Sequence, residues 1–163
     1  MLKDNNISLR LLEESDLNFL YSIENNPLNK KFNEESQYFS KDTLRKYISN
    51  SNAEIERFGQ LRFVITLEKK PIGLIDLFEY NELLKQAGIG VFILDKFRRQ
   101  QYGHNALKLL ISYSWDNLDL LFLFANIKED NMISINLFTK LGFSYINTTL
   151  YQLSLKTIRI CIL

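Results

Sequence analysis

The chain has 163 residues and a formal charge of +1, with one Cys, one His, two Pro and six Gly, which suits a single domain over residues 1–163. Hydrophobic residues at 46% and charged residues at 24% exclude a disordered or collagen-like chain. One Cys cannot form an internal disulfide, which fits a reducing, cytoplasmic compartment, and one Cys with one His excludes a His/Cys metal cage, so no metal is expected.

The N-terminus opens with Lys3 and Asp4 and then polar residues, a pattern unlike a secretory signal. Ile7–Leu12 alternates imperfectly and predicts a first strand. Ser15 is placed to cap a helix carrying Leu17, Leu20, Tyr21 and Glu24, and Asn25-Asn26-Pro27 stops it. Residues 29–39 read as an irregular or short helical loop, in which Glu34 and Glu35 are solvated acids. Ser40 caps a second helix through Leu44, Tyr47 and Ile48. Leu61–Leu67 and Pro71–Tyr80 predict a hairpin around a tight turn at Glu68-Lys69-Lys70. A turn at Asn81–Lys85 leads to a third strand, Gln86–Leu94, apolar on both faces around Gly90 and therefore central.

Gly103–Leu118 has one apolar face and predicts a long helix. The most apolar stretch, Leu118–Ile127, is interrupted by Asp119 and Asn126 and is too short to span a bilayer, so no membrane partner is expected. Leu121–Ile127 is a strand, and Asn131–Leu141 is a helix stopped by Gly142. Phe143–Leu155 and Thr157–Leu163 close the chain as two strands around a turn near Lys156, with Cys161 a small core residue. The order is β-α-α-β-β-β-α-β-α-β-β. That is a mixed α/β sheet, since helices do not alternate with strands throughout.

Charge is uneven: residues 1–80 sum to −2 and residues 81–163 to +3. The near-zero total gives no support for a nucleic-acid-binding surface. The basic half contains the most informative segment, where a buried strand ends, Arg98-Arg99-Gln100-Gln101 follows, and a helix begins at Gly103. The first N–H groups of a helix have no partner within it and the helix dipole is positive there, so two adjacent arginines make this an anion site suited to phosphates. No Walker lysine follows the glycine, so a nucleotide P-loop is not supported.

Arg98-Arg99-Gln100-Gln101-Tyr102-Gly103 resembles the Arg/Gln-x-x-Gly-x-Gly/Ala pattern of the GNAT superfamily of acyl-CoA N-acyltransferases. The block Glu129-Asp130-Asn131-Met132-Ile133-Ser134-Ile135-Asn136-Leu137-Phe138-Thr139-Lys140-Leu141-Gly142-Phe143 is similar to a second and more specific GNAT signature. Leu9–Leu17 and Lys70–Leu77 match as well, with agreeing spacing, and the pattern is nearest to the ribosomal-protein and diamine acetyltransferase branches. The resemblance implies a GNAT fold with a splayed central sheet and acetyl-CoA as cosubstrate. Its pyrophosphate would rest on backbone N–H groups from Gln100, Gln101, Tyr102, Gly103, His104 and Asn105, beside Arg98 and Arg99. The pantetheine arm would pair with the edge of Val91, Phe92 and Ile93, and Asn131, Ser134 and Phe138 would face the cofactor from the next helix. An acceptor amine, small molecule or peptide, would lose its proton and attack the thioester directly. The −2 half would then suit a cationic acceptor.

Three positions depart from the family pattern. Gln101 stands where the first motif glycine is expected, at a cost of about 1 kcal/mol if its φ is positive. Phe138 stands where many members carry a proton-donating tyrosine, which leaves Ser134 or water as the donor. Gly88 stands where related branches carry a glutamate base, which leaves Asp76 and Glu79 on the preceding strand as the nearest carboxylates. Together these departures motivate an alternative, a degenerate module that binds CoA or a metabolite without turnover. A further alternative is an interaction module using the open sheet edge, for example in a homodimer.

Overall fold

A computed structural model describes residues 2–4, 6–27, 38–51, 55–152 and 155–162. The strands are β1 (Leu2–Asp4), β2 (Ile7–Leu11), β3 (Leu61–Leu67), β4 (Lys70–Asn81), β5 (Gln86–Ile93), β6 (Phe122–Lys128), β7 (Ser144–Gln152) and β8 (Leu155–Ile162). The helices are α1 (Leu17–Glu24), α2 (Lys41–Ser51), α3 (Ile55–Phe58), α4 (Tyr102–Leu118) and α5 (Met132–Thr139). Among the described residues the strands form one mixed sheet in the order β1-β2-β3-β4-β5-β6-β8-β7.

Most elements fall where the pattern places them, and the differences have local causes. β1 is an unexpected strand of three residues, too short to show alternation, held by antiparallel pairing of Leu2 with Leu9 and Asp4 with Ile7. The one-turn α3 is likewise too short for a helical period. Asp16, not Ser15, organises the entry to α1. Its carboxylate accepts from the Glu13 N–H at 2.9 Å and takes both terminal nitrogens of Arg10, at 2.6 and 2.8 Å. Ser40 does cap α2, accepting from the Thr43 N–H at 3.1 Å. Lys156 is not a turn residue but pairs with Tyr151 inside the β7–β8 ladder. Glu34 and Glu35 lie outside the described residues.

Two turns show how sequence sets backbone. Glu68 and Lys69 both have positive φ, 48° and 68°, as a two-residue hairpin turn requires to match strand twist. Gly142 has φ 93° and ends α5, with the Phe143 N–H donating to the Phe138 carbonyl at 3.2 Å.

Apolar side chains cover both faces of the sheet. On one face α4 packs its Ala106, Leu107 and Leu110 against Ile65, Ile75, Ile89 and Ile93. On the other, Leu17, Leu20 and Ile23 of α1 and Leu44 and Ile48 of α2 pack against Val64 and Leu74. Cys161 is buried within β8, and burial pushes its thiol above the ordinary range.

The feature that positions a site is the junction of β5 and β6. They are parallel neighbours, yet they pair only at Gln86–Phe122, Ala87–Leu123 and Gly88–Phe124. On their outer edges both strands stay paired much further, to Ile93 with Gly73 and to Lys128 with Thr157. The sheet therefore opens as a V beyond Gly88, and the β6-facing edge of residues 89–93 has no strand partner among the described residues. At the closed end the Phe78 ring lies over Gly88 and meets Phe124 edge-on at 5.8 Å between centroids.

Candidate active site

The mouth of the V is built by β5, the loop after it and the first turn of α4. β5 ends in a single turn of 3-10 helix, Asp95–Phe97. Arg98 then folds back: its Nε donates to the Ile93 carbonyl at 2.9 Å, its guanidinium pairs with Asp95 at 2.9 Å, and it lies over the Phe92 ring at 5.8 Å. Much of the Arg98 hydrogen-bonding capacity is thus engaged in fixing the end of β5. Arg99 remains exposed beside the helix start. Gln100 anchors the loop by donating to the Lys96 carbonyl at 3.1 Å.

The conditional expectation at Gln101 is met: its φ is 64° and ψ 1°, left-handed, and Arg99 is left-handed too, at φ 60°. Gln101 is the residue before α4 and makes no side-chain cap bond. The first intrahelical bond runs from the Asn105 N–H to the Gln101 carbonyl at 3.0 Å, so the N–H groups of Tyr102, Gly103 and His104 precede the helical ladder. Gly103 sits close under β5 and α5; an added Cβ would stand 3.6 Å from Ile93 and 3.6 Å from Leu137, ordinary contact distances. His104 and Asn105 are half-buried in this first turn. The helix start, the Ile93 end of β5 and α5 therefore converge at the open end of the V. Val91 and Phe92 are half-buried along it and Ile93 is buried.

On α5, Asn131 is the N-cap residue, and its side-chain oxygen accepts from the Ser134 N–H at 3.2 Å. Ser134 is half-buried. Phe138 is 3% exposed and packs edge-on against Phe143 at 5.0 Å. A hydrophobic residue at this point of the helix is drawn inward by the apolar stripe it continues with Ile135.

The two candidate carboxylates differ. Glu79 is exposed, with φ 49°, where the β4–β5 register shifts in a bulge. Asp76 lies on the α1/α2 face, opposite Arg62 on one side and Gly90 on the other. Its Oδ1 would be 3.5 Å from a Cβ placed on Gly90, an ordinary contact distance, so the carboxylate borders β5. Its Oδ2 is 3.7 Å from Arg62, which also binds Glu24 of α1 at 2.9 Å. Asp76 thus shares the Arg62 guanidinium with Glu24. The Gly88 position offers no place for a glutamate, because a Cβ there would stand 2.3 Å from the Phe78 ring.

Arg62, Glu24 and Tyr47 were not expected at the site. Arg62 stacks over the Tyr47 ring at 5.5 Å. Burial works against its charge, but Asp76, Tyr47 and Glu24 outweigh it and hold the guanidinium above its ordinary value. Burial pushes the Tyr47 phenol above its ordinary value, with Arg62 opposing and Asp76 and Glu24 assisting. The sequence did carry one signal for the cluster: Arg62 is the single charge of the apolar strand Leu61–Leu67, and Asp76 interrupts the apolar run Ile72–Phe78.

Comparison with known proteins decides the family. The model of the acetyltransferase (GNAT) domain matches residues 6–144 of the chain. The chain belongs to the GNAT acetyltransferase family. Its mixed sheet, opened between β5 and β6, is the GNAT fold, and the enzyme is an N-acetyltransferase that uses acetyl-CoA as cosubstrate. Spermidine N(1)-acetyltransferase of Escherichia coli K12 is 25% identical over 96% of this chain and 85% of its own length. Spermidine N(1)-acetyltransferase of Vibrio cholerae is 26% identical over 84% of this chain and 78% of its own length. Among solved structures, spermidine N-acetyltransferase from Vibrio cholerae in complex with CoA and spermine superposes with a TM-score of 0.87, covering 98% of this chain and 96% of that one at 22% identity. A dodecameric structure of spermidine N-acetyltransferase from Vibrio cholerae gives 0.77 at 21% identity, covering 98% and 95%. No helix among the described residues of this acetyltransferase is long and apolar enough to cross a membrane.

The fit of acetyl-CoA to these residues rests on chemistry already in place. A pyrophosphate needs several N–H donors and positive potential, and the start of α4 beside Arg99 offers both. A pantetheine amide needs a strand edge with open backbone groups, and β5 offers one beyond Gly88.

Proposed function

We propose that this acetyltransferase transfers the acetyl group of acetyl-CoA to a primary amine of a polyamine. The observation that carries the reading is the opening of the sheet between the α4 N-terminus, which suits a polyanion, and the α1/α2 face, where Glu24 and Asp76 outnumber Arg62 and suit a cation. The spermidine acetyltransferases to which the chain is similar support the same class of acceptor.

In this reading the backbone N–H groups of residues 100–105 hold the pyrophosphate, with Arg99 adding charge and Arg98 bracing β5. Val91, Phe92 and Ile93 present the strand edge to pantetheine, and a backbone donor near Phe92 polarises the thioester carbonyl. The neutral amine attacks the carbonyl carbon: a C–N bond forms, the C–S bond breaks, and the thiolate takes a proton. Ser134, in the first turn of α5, is the side chain of this segment that can supply that proton directly or through water, whereas Phe138 cannot. Glu79, exposed at the β4 bulge five residues from the Leu74–Phe92 pair, stands about 16 Å along the strand from the thioester position and would take the proton of the amine only through water, and Asp76 serves recognition. Asn131 fixes the first turn of α5. The same reading puts the enzyme in the cytoplasm and allows self-association into a homodimer or a larger assembly, as in the dodecameric Vibrio cholerae relative.

The test is release of free CoA from acetyl-CoA across a panel of amines, with the acetylated product identified by mass spectrometry. Turnover with spermidine supports the reading, and turnover only with peptide N-termini would overturn the polyamine assignment. The alternative, CoA binding without turnover, is favoured by the strained Gln101 and the buried Phe138. It predicts calorimetric binding of CoA and no product from any amine.

A further inference from the structure

The Arg62 cluster is an expensive arrangement for a fold that needs only a core. Arg62, Glu24 and Asp76 are each less than one-fifth exposed, at 19%, 18% and 19%. Burying charges costs free energy that pairing only partly offsets, so such groups are weak evidence for stability and better evidence for specificity. The arrangement is also unbalanced: two carboxylates share one guanidinium. It is incompletely bonded as well, because the buried Arg62 Nε has no hydrogen-bond partner among the described residues.

Its geometry joins three elements at one point of the site. Arg62 lies on β3, Asp76 on β4 and Glu24 at the last residue of α1. The cross-strand row Arg62–Asp76–Gly90 runs directly from the cluster to β5. Two rows towards the open end of the V, on the same face, is Val64–Leu74–Phe92, so the carboxylate sits two residues from the expected thioester position, about 7 Å along the strand. Gly90 lies opposite Asp76 and carries no side chain, and Asp76 Oδ1 borders it.

We propose that Arg62 is a positioning residue of the acceptor pocket, clamping Glu24 to Asp76 so that the surplus negative charge of the cluster faces β5 at Gly90 and selects an acceptor carrying a second ammonium group. The proposal rests on the polyamine reading and adds to it the group that discriminates a polyamine from a monoamine. A reacting amine must be neutral to attack, so the cation recognised here is a neighbouring, non-reacting one. Asp76 is suited to that role because Arg62 holds it from β3 while its Oδ1 borders β5 at Gly90.

The experiment is steady-state kinetics with butylamine, 1,4-diaminobutane and spermidine on wild type, Glu24→Gln, Arg62→Lys and Arg62→Met, reading kcat, the amine KM and the acetyl-CoA KM. Wild type is expected to prefer the amines with two or more charges. Glu24→Gln cancels the surplus charge and raises their KM about tenfold while the KM for acetyl-CoA stays put, and the preference over butylamine disappears. Arg62→Met makes the cluster more negative yet loses the clamp, so the amine KM rises, and Arg62→Lys recovers part of the loss. Tighter polyamine binding by Arg62→Met would overturn the positioning role, leaving electrostatics alone. An unchanged amine KM in Glu24→Gln would overturn the proposal outright while polyamine turnover by wild type stands. Absence of wild-type turnover with all three amines would overturn the polyamine reading and this proposal with it. If Arg62→Met does not melt cooperatively, Glu24→Gln and Arg62→Lys decide the matter.

Discussion

Replacing Gln101 with glycine isolates the backbone cost of the phosphate loop. Gln101 has φ 64°, where an L-residue with a Cβ is disfavoured by about 1 kcal/mol and glycine is not. Its side chain is exposed and makes no cap bond, so truncation removes no packing and no hydrogen bond that the helix needs. Gln101→Gly is therefore expected to stabilise by about 1 kcal/mol, less the entropy that glycine adds to the unfolded chain, which raises Tm by roughly 2 °C for a domain of this size. It is also expected to bind acetyl-CoA more tightly, because phosphate oxygens can approach a glycine backbone more closely. Gln100→Gly is the control: Gln100 does not have positive φ, and its side chain donates to the Lys96 carbonyl. That variant is expected to lose about 0.5–1 kcal/mol. Differential scanning calorimetry and isothermal titration with acetyl-CoA read both effects. A Gln101→Gly protein that melts no higher than wild type, or as far below it as Gln100→Gly, would refute the strain argument.

Other perturbations follow from the same geometry. Gly88→Ala puts a Cβ 2.3 Å from the Phe78 ring and is expected to destabilise by about 1–3 kcal/mol in urea unfolding, with Phe78→Ala in the same chain recovering part of the loss. Asn131→Ala removes the oxygen that accepts from the Ser134 N–H and is expected to cost about 1 kcal/mol, with a weaker hold on acetyl-CoA if the first turn of α5 frays. Gly103→Ala adds a methyl at ordinary contact distance, so its melting temperature stays near that of wild type while its affinity for acetyl-CoA falls. Tyr47 is held above its ordinary pKa of 10.0, so its contribution to stability is complete below pH 10 and fades as pH rises through the higher folded value; Tyr47→Phe is expected to flatten that alkaline decline in urea midpoints measured from pH 8 to 11.

Local chemistry made much of the fold legible. The Glu68-Lys69 turn, the Ser40 cap, the Gly142 stop and the apolar face of α4 are each decided within a few residues, and each stands where its pattern puts it. β1 and α3 were not legible because three or four residues cannot display a period. The entry to α1 differs because Asp16, not Ser15, precedes the helix, and its carboxylate is held by the Glu13 N–H and by Arg10 rather than by the N–H groups of α1. At the site, the loop before α4 could be located from sequence, and the left-handed φ at Gln101 was anticipated as a condition. The Gly88–Phe78 contact and the Glu24–Arg62–Asp76 cluster were not, since each joins residues far apart in the chain through register and helix placement. The −2 charge of the first half gains a physical meaning from that cluster, whose two acids are drawn from it.

The most direct test of the account is a reaction containing the enzyme, acetyl-CoA and spermidine, with free CoA and acetylated amine quantified together. The account predicts equal amounts of CoA and monoacetylated spermidine, formed faster than from butylamine. Saturable binding of acetyl-CoA with no acetylated product from spermidine, 1,4-diaminobutane or butylamine would contradict it.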